Sequence, residues 1–439
     1  MTNRYKLWSN LVTAVLLSLV ILMALTLVNC TDECQNTETY VYLEPVYTSA
    51  SEVRSSFESL EPRELKNTGK IYRKDHFLFI SEMGKGIHIF NNNDKSNPIP
   101  LSFLNIPGSF DVAVKGNIMY VDSFVDLVVL DISDPANVVQ LDRIENVLNN
   151  INIMGFHSSE ATGFLTDFRE AESVQVYDCD EYPFMPVNGS GIWVSADQVN
   201  AFNRSEGSKA YSGSPGSGLG GSFARFAIYS DFLYVVDNWS MHVFDIDDLT
   251  SPQEVSLIDL GWGIETIFPY HDKLFIGSNT GMQIFDNSDP KNPTFVSRFD
   301  HAMACDPVVA EDNFAFITLR TGNACFGIEN QLDVVDISEL ESPKLVKSYS
   351  MQHPHGLAID NDILFLCEGE YGLKVFDVGN KRKINQNLLT HLRNIPSYDV
   401  IAVDSHLILV GEDGIYQFDY ADPGNLKLLS VINTQSSAD

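Results

Sequence analysis

A short apolar strand closed by an acid or amide recurs eight times along this 439-residue chain. That recurrence constrains the fold more than any other feature, because a fixed period of 20–50 residues marks a repeat architecture. The instances end at Asn91 (IHIFN), Asp131 (LVVLD), Asp178 (VQVYD), Asp245 (MHVFD), Asp286 (MQIFD), Asp336 (LDVVD), Asp377 (LKVFD) and Asp419 (IYQFD). The intervals are 40, 47, 67, 41, 50, 41 and 42 residues, so the second, third and fifth carry insertions. Each repeat reads as four short β-strands, illustrated by residues 111–114 (DVAV), 118–121 (IMYV), 127–130 (LVVL) and 138–141 (VVQL). These runs are rich in Val, Ile, Phe and Tyr and are bounded by Gly, Asn, Asp and Pro. In the turns Asp131–Pro135 and Asp286–Pro290 the Asp side chains are expected to cap backbone N–H groups, and proline sets the turn dihedral. Four strands at this period describe a blade of an all-β propeller. Eight repeats predict eight blades. The alternative is seven, if the Asp178 repeat, preceded only by Gly163-Phe-Leu-Thr, is not a blade.

The strand seen here as LVVLD and LDVVD resembles the motif that names the LVIVD-repeat family. The resemblance covers roughly residues 69–432 and implies a β-propeller of the kind carried by bacterial surface lipoproteins.

The N-terminus supports such an address. Arg4 and Lys6 precede an apolar run over residues 11–28, broken only by Thr13, Ser18 and Thr26, which is a secretory signal pattern. The run ends in Leu27-Val28-Asn29-Cys30, which resembles a lipobox and implies lipidation at Cys30; Asn29 departs from the usual small residue. Thr31, Asp32 and Glu33 resemble the surface-export signal of Bacteroidetes lipoproteins. An uncleaved anchor helix is the competing reading, since the run is just long enough to span a membrane. The expected organisation is a signal peptide over 1–29, an acidic tether and packing segment over 30–65, and a propeller over 66–435 with an inserted flexible loop at 203–222. Residues 39–47 (TYVYLEPVY) are expected to add an edge strand to the ring. The expected location is an outer-membrane lipoprotein exposed at the cell surface, with a periplasmic-facing orientation as the alternative.

Formal net charge is −31, and removing Arg4 and Lys6 with the leader makes it −33. Phosphate binding needs a basic face, so nucleic acid is excluded as a partner class. A hydrophobic content of 44% excludes a disordered chain. Gly216, Gly218 and Gly221 match a dinucleotide fingerprint in form, but no strand–helix unit surrounds them. Asp245-Ile-Asp247-Asp248 opens like a calcium loop and lacks its later Gly and Glu.

A polar residue recurs just before each innermost strand: Asp111, Arg225, Glu265, Asp306, His355 and Asp399. Inner strands line a propeller's channel, so these residues should meet at one mouth. Ca²⁺ is the cofactor such carboxylates would take; the competing reading is a structural ring of ion pairs. The segments that carry His301 and Asp306, and His353 and His355, should lie on the same face, where two His and a carboxylate could form a transition-metal site. Outside the cytoplasm Cys305 and Cys325 are expected to form a disulfide closing about 20 residues and contributing roughly 3 kcal/mol. Cys367 reads as a buried free thiol, while Cys34 and Cys179 have no evident partner. Trp239 and Trp262 fall at strand edges or loops, where packing competes with stacking on a sugar or peptide. The expected function is binding or scaffolding of a protein or glycan through this loop face. A hydrolase or lyase at the channel mouth and a structural subunit of an envelope complex are the rivals.

Overall fold

The apolar runs fold into antiparallel hairpins because their turns demand it. In all seven blades the first two strands are joined by two residues, the first at positive φ: Asp75, Gly116, Ser230, His271, Asp312, Asn361 and Asp404. A left-handed first residue matches the right-handed twist of the flanking strands. The computed structural model describes residues 2–26, 35–66, 68–148, 152–153, 156–157, 159–178, 219–220, 224–300, 307–321 and 329–435.

The seven blades span 68–105, 112–144, 226–259, 264–300, 308–350, 357–392 and 397–435, each a four-stranded antiparallel meander at its centre. In blade 2 the strands are Val112–Lys115, Ile118–Ser123, Asp126–Asp131 and Val139–Ile144, from inside to outside. Apolar clusters join blades 1, 2 and 3, then 3 and 4, then 4, 5 and 6, then 6 and 7. The last cluster packs Ile71 and Ile80 of blade 1 on Ile401 and Ile408 of blade 7, which closes the ring.

The ring has seven blades, the alternative the sequence left open, and not eight. Asp178 ends the strand Phe164–Asp178, which among the described residues pairs only with Gln35–Thr48, in a two-stranded sheet. Val174 and Val176 there are 60% and 58% exposed, so its apolar alternation mimics a blade strand without burying a face. The same pairing corrects the expectation that residues 39–47 join the ring.

The closing acid of every third strand accepts the N–H two residues on: Asn93 on Asn91, Ser133 on Asp131, Asp247 on Asp245, Ser288 on Asp286, Ser338 on Asp336, Gly379 on Asp377 and Ala421 on Asp419. This is the capping expected from the sequence, and it has a further consequence. It holds the carbonyl four residues past the acid where the preceding blade can reach it. Hydroxyls of Ser102, Tyr120 and Tyr234 donate to the carbonyls of Pro135, Leu249 and Pro290 at 2.6, 2.8 and 3.0 Å. Ser297 donates to Leu340. Tyr349, Thr390 and Ser430 donate to Lys381, Pro423 and Lys95 at 2.7, 2.9 and 2.7 Å. Every junction in the ring therefore carries one hydroxyl latch onto the recurrent turn.

Each outer strand also carries a β-bulge at the same register, opposite the step between the residues two and one before the closing acid or amide of the third strand. A bulge twists an exposed edge away from pairing with another chain.

The seam between blades 7 and 1 differs from the others. Asn92 stands where the other turns mostly place Ile, Val or Tyr, and it exchanges two 2.8 Å hydrogen bonds with Gln417 of blade 7. Residues outside the blades close over this seam. Glu58–Leu60 pairs with the outer strand of blade 1, and Leu65–Lys66 runs parallel to the outer strand of blade 7. Just upstream, the helix Ala50–Arg54, capped by Ser49, packs Ala50 and Val53 on Phe124, Val125 and Phe164.

The chain divides into two compact units, one of residues 1–45 and 168–194 and one comprising the rest. The first contains the helix Thr2–Thr26 and an ion pair between Arg169 and Glu44.

Candidate functional site

The two faces of the ring differ in chemistry. The capped turns and their latches occupy the face where third strands end. The opposite face, where first and third strands begin, holds most of the buried charge. We call it the mouth face.

Counting back four residues from the last paired residue of each first strand gives Lys70, Asp111, Arg225, Thr266, Pro307, Gly356 and Asp399. Asp111, Arg225 and Asp399 are thus structurally equivalent, as the sequence suggested. Glu265 and His355 stand one residue earlier, Glu265 inside a bulge. Lys70 was missed because it lies 21 residues before Asn91, not the 20 that separate Asp111 from Asp131. Alignment on the hairpin turn would have found it. His301, Asp306, Cys305 and Cys325 lie outside the described residues, as do Cys30, Cys34, Cys179 and the insertion 203–222 apart from Leu219–Gly220. Leu219–Gly220 pairs with the innermost strand of blade 1.

Blades 1 to 3 bring their members together as one network. Lys70 Nζ lies 2.8 Å from Asp111 Oδ2, and the backbone N–H of Arg225 donates to the same oxygen. Arg225 Nη2 donates to Asp122 Oδ2 at 2.6 Å, and Asp122 Oδ1 accepts the N–H groups of Phe110 and Asp111. Burial pushes Asp122 up against the pull of Arg225, and burial pushes Lys70 down against the pull of Asp111. Two cations thus answer two carboxylates here. Among the described residues no group of three or more His, Cys, Asp or Glu is placed to hold a metal ion. Of the carboxylates expected to hold Ca²⁺, Asp111 is paired with Lys70, and Asp306 lies outside the described residues.

Blades 5 to 7 build a second cluster. Arg320 Nη1 donates to His355 Nδ1 at 3.0 Å. That leaves His355 Nε2–H for His353 Nδ1 at 3.2 Å, and His353 Nε2–H for the carbonyl of Thr321 at 3.3 Å. Each imidazole is held in one tautomer by the next group in line. Gly369, at φ +55°, is required beside them, because a Cβ there would stand 2.7 Å from His355 Nε2. Asp399 is fully buried, and a Cβ on Gly356 would stand 2.7 Å from its Oδ1. Cys367 is a free, buried thiol, pushed up by burial and by Asp399.

A third pattern also recurs and escaped the sequence reading. The residue at or just past the end of the second strand pairs with the residue three before the closing acid or amide of the third: Glu82 with His88 at 3.0 Å, Asp237 with His242 at 3.5 Å, and Glu368 with Lys374. Burial would raise Glu82 and Asp237, but His88 with Arg63 and His242 with two backbone N–H groups hold them below the usual carboxylate range. In blade 2 the corresponding turn presents Asp126, which accepts a forked pair of bonds from Arg54 at 2.9 and 3.0 Å and one from Arg143 at 3.0 Å.

The LVIVD repeat model matches residues 109–143, 220–259 and 303–351, within or around blades 2, 3 and 5. No curated protein matches the chain. Among solved structures, the chain is similar to the periplasmic gluconolactonase PpgL of Pseudomonas aeruginosa, at 10% identity, covering 92% of this chain and 98% of that one, with a TM-score of 0.51. It is also similar to BamB from Moraxella catarrhalis, at 7% identity, covering 88% and 97%, with a TM-score of 0.47. Such likeness concerns the fold alone.

Proposed function

We propose that this β-propeller of LVIVD repeats is a lipid-anchored binding or scaffolding module of the bacterial cell surface, engaging its partner through the mouth face. The observation that carries the reading is the asymmetry of the two faces. One is consumed by capped turns that latch neighbouring blades. The other concentrates buried ion pairs, an Arg–His–His chain and the longer connections. The lipobox-like Leu27–Cys30 supports the anchor, and the mature charge suits a protein kept soluble beside a membrane. The paired state of the carboxylates supports binding over catalysis, since a general acid or base needs a free proton position.

The test places a photo-crosslinking residue at exposed positions of either face in the full-length lipoprotein: Lys85 and Glu370 on the mouth face, Asp134 and Asp289 on the other. Adducts on whole cells are expected from the first pair only. Equal yields from both pairs, or yields from the turn face alone, contradict the reading. Labelling with an alkyne fatty acid, lost in C30A, checks the anchor.

A further inference from the structure

We infer that Trp239 and Trp262, carried on adjoining loops of the mouth face of blades 3 and 4, form a binding site for a neutral glycan. This deepens the binding reading above and rests on it. Trp239 is 46% exposed and Trp262 59% exposed, although both belong to short loops between well-packed strands. A tryptophan kept for packing buries its ring. Here the opposite holds: the backbone beneath each indole is tightly fixed while the ring stays in water.

The fixing groups are specific. Asp237 Oδ1 accepts the N–H groups of Trp239 and Ser240 at 2.8 and 2.7 Å. Its other oxygen meets His242, which in turn meets Glu254 Oε1 at 2.7 Å. The Trp262 loop is tied to the Trp239 turn by Leu260 N–H on the Trp239 carbonyl at 2.8 Å, and by Gly263 N–H on the Asn238 carbonyl at 3.0 Å. Gln283, itself buried, donates to the carbonyl of Leu260 at 2.9 Å. Gly261 and Gly263 flank Trp262 at φ +80° and +86°, and a Cβ on Gly263 would fall 2.3 Å from Asn279 Oδ1. The two indoles are therefore presented by a preorganised frame, which spares a ligand the cost of ordering them.

The chemistry around the rings selects the ligand. Sugar rings offer apolar C–H faces to indoles and hydroxyl donors at their edges. The loops that carry these indoles offer acceptor oxygens on exposed Asn238 and exposed Asp259, and the part-exposed carboxylate of Glu254 lies on the same outer strand as Asp259. Segments 237–242 and 254–265 contain no Lys or Arg, and the net charge of −31 repels an anionic polymer.

The experiment is affinity electrophoresis of the full chain in native gels containing laminarin, dextran, mannan or xylan, with alginate as the polyanion. At least one neutral polymer is expected to retard the protein and alginate is not. W239A and W262A should each weaken that retardation at least tenfold while leaving the melting temperature unchanged. Failure of all four neutral polymers, or retardation that survives both substitutions, overturns the inference. If that failure is accompanied by mouth-face crosslinks from Lys85 and Glu370, the glycan falls while the binding face stands.

Discussion

At the scale of single residues, His406 offers the cleanest test of the seam. It is fully buried, its Nε2–H donates to Gln417 Oε1 at 2.7 Å, and Nδ1 has no hydrogen-bond partner among the described residues. Burial first, then the positive charges of Lys95 and Arg73, lower its pKa to about 4. In the unfolded chain the ring titrates near 6.5. Between those values the unfolded state holds the proton and the folded state does not. Stability must therefore fall as pH drops from 6.5 to 4, by up to about 3 kcal/mol. His242 acts in the opposite sense. Burial alone would lower its pKa, but Asp237 and Glu254 raise it, so its contribution is full below pH 6.5 and fades as pH rises through the folded value. Urea midpoints of wild type and H406Q at pH 7 and 4.5 separate the two. The wild type should lose more than the variant on acidification, and equal losses would exclude this account.

At the scale of elements, the recurrent turn is a joint as well as a connection. S102A and T390A remove latch hydroxyls at the junctions of blades 1 and 2 and of blades 6 and 7. Each should cost about 1 kcal/mol. The junctions share no partners, so the double variant should cost the sum within about 0.5 kcal/mol by chemical denaturation. Arg54 is a different joint. It ties the helix Ala50–Arg54 to Asp126, whose carboxylate is held low despite its burial by Arg54, Arg143 and the N–H of Asn146. R54M should destabilise by about 3 kcal/mol, because a buried carboxylate loses its forked partner. The wild-type contribution should persist above the ordinary carboxylate range and vanish as pH falls below it. Loss of less than about 1 kcal/mol in R54M would mean that Arg143 and Asn146 alone satisfy Asp126.

At the scale of the whole molecule, the period and the turn acids were enough to read out the propeller and seven of its blades. They did not give the count, because VQVYD carries the same alternation as a blade strand. What separates it is the missing partner strand before it, where only Gly163-Phe-Leu-Thr stands. The mouth position was legible at Asp111, Arg225 and Asp399, where the spacing to the closing acid is constant. It was lost at Glu265, where a bulge shifts the register, and at Lys70, where the spacing differs by one. The strands at Glu58–Leu60 and Leu65–Lys66 could not be read, since segments of three and two residues take their conformation from the edges they meet.

Those short strands also set how the molecule bears tension. Moving along the chain from Ala50, the backbone is fastened first to blade 2 through Arg54, then to blade 1 through residues 58–60, then to blade 7 through residues 65–66. A pull arriving from upstream meets these attachments in series, and the seam between the first and last blades comes after all of them. A ring pulled by this end is loaded like a stitched hem, with the joint between its first and last blades behind the stitches.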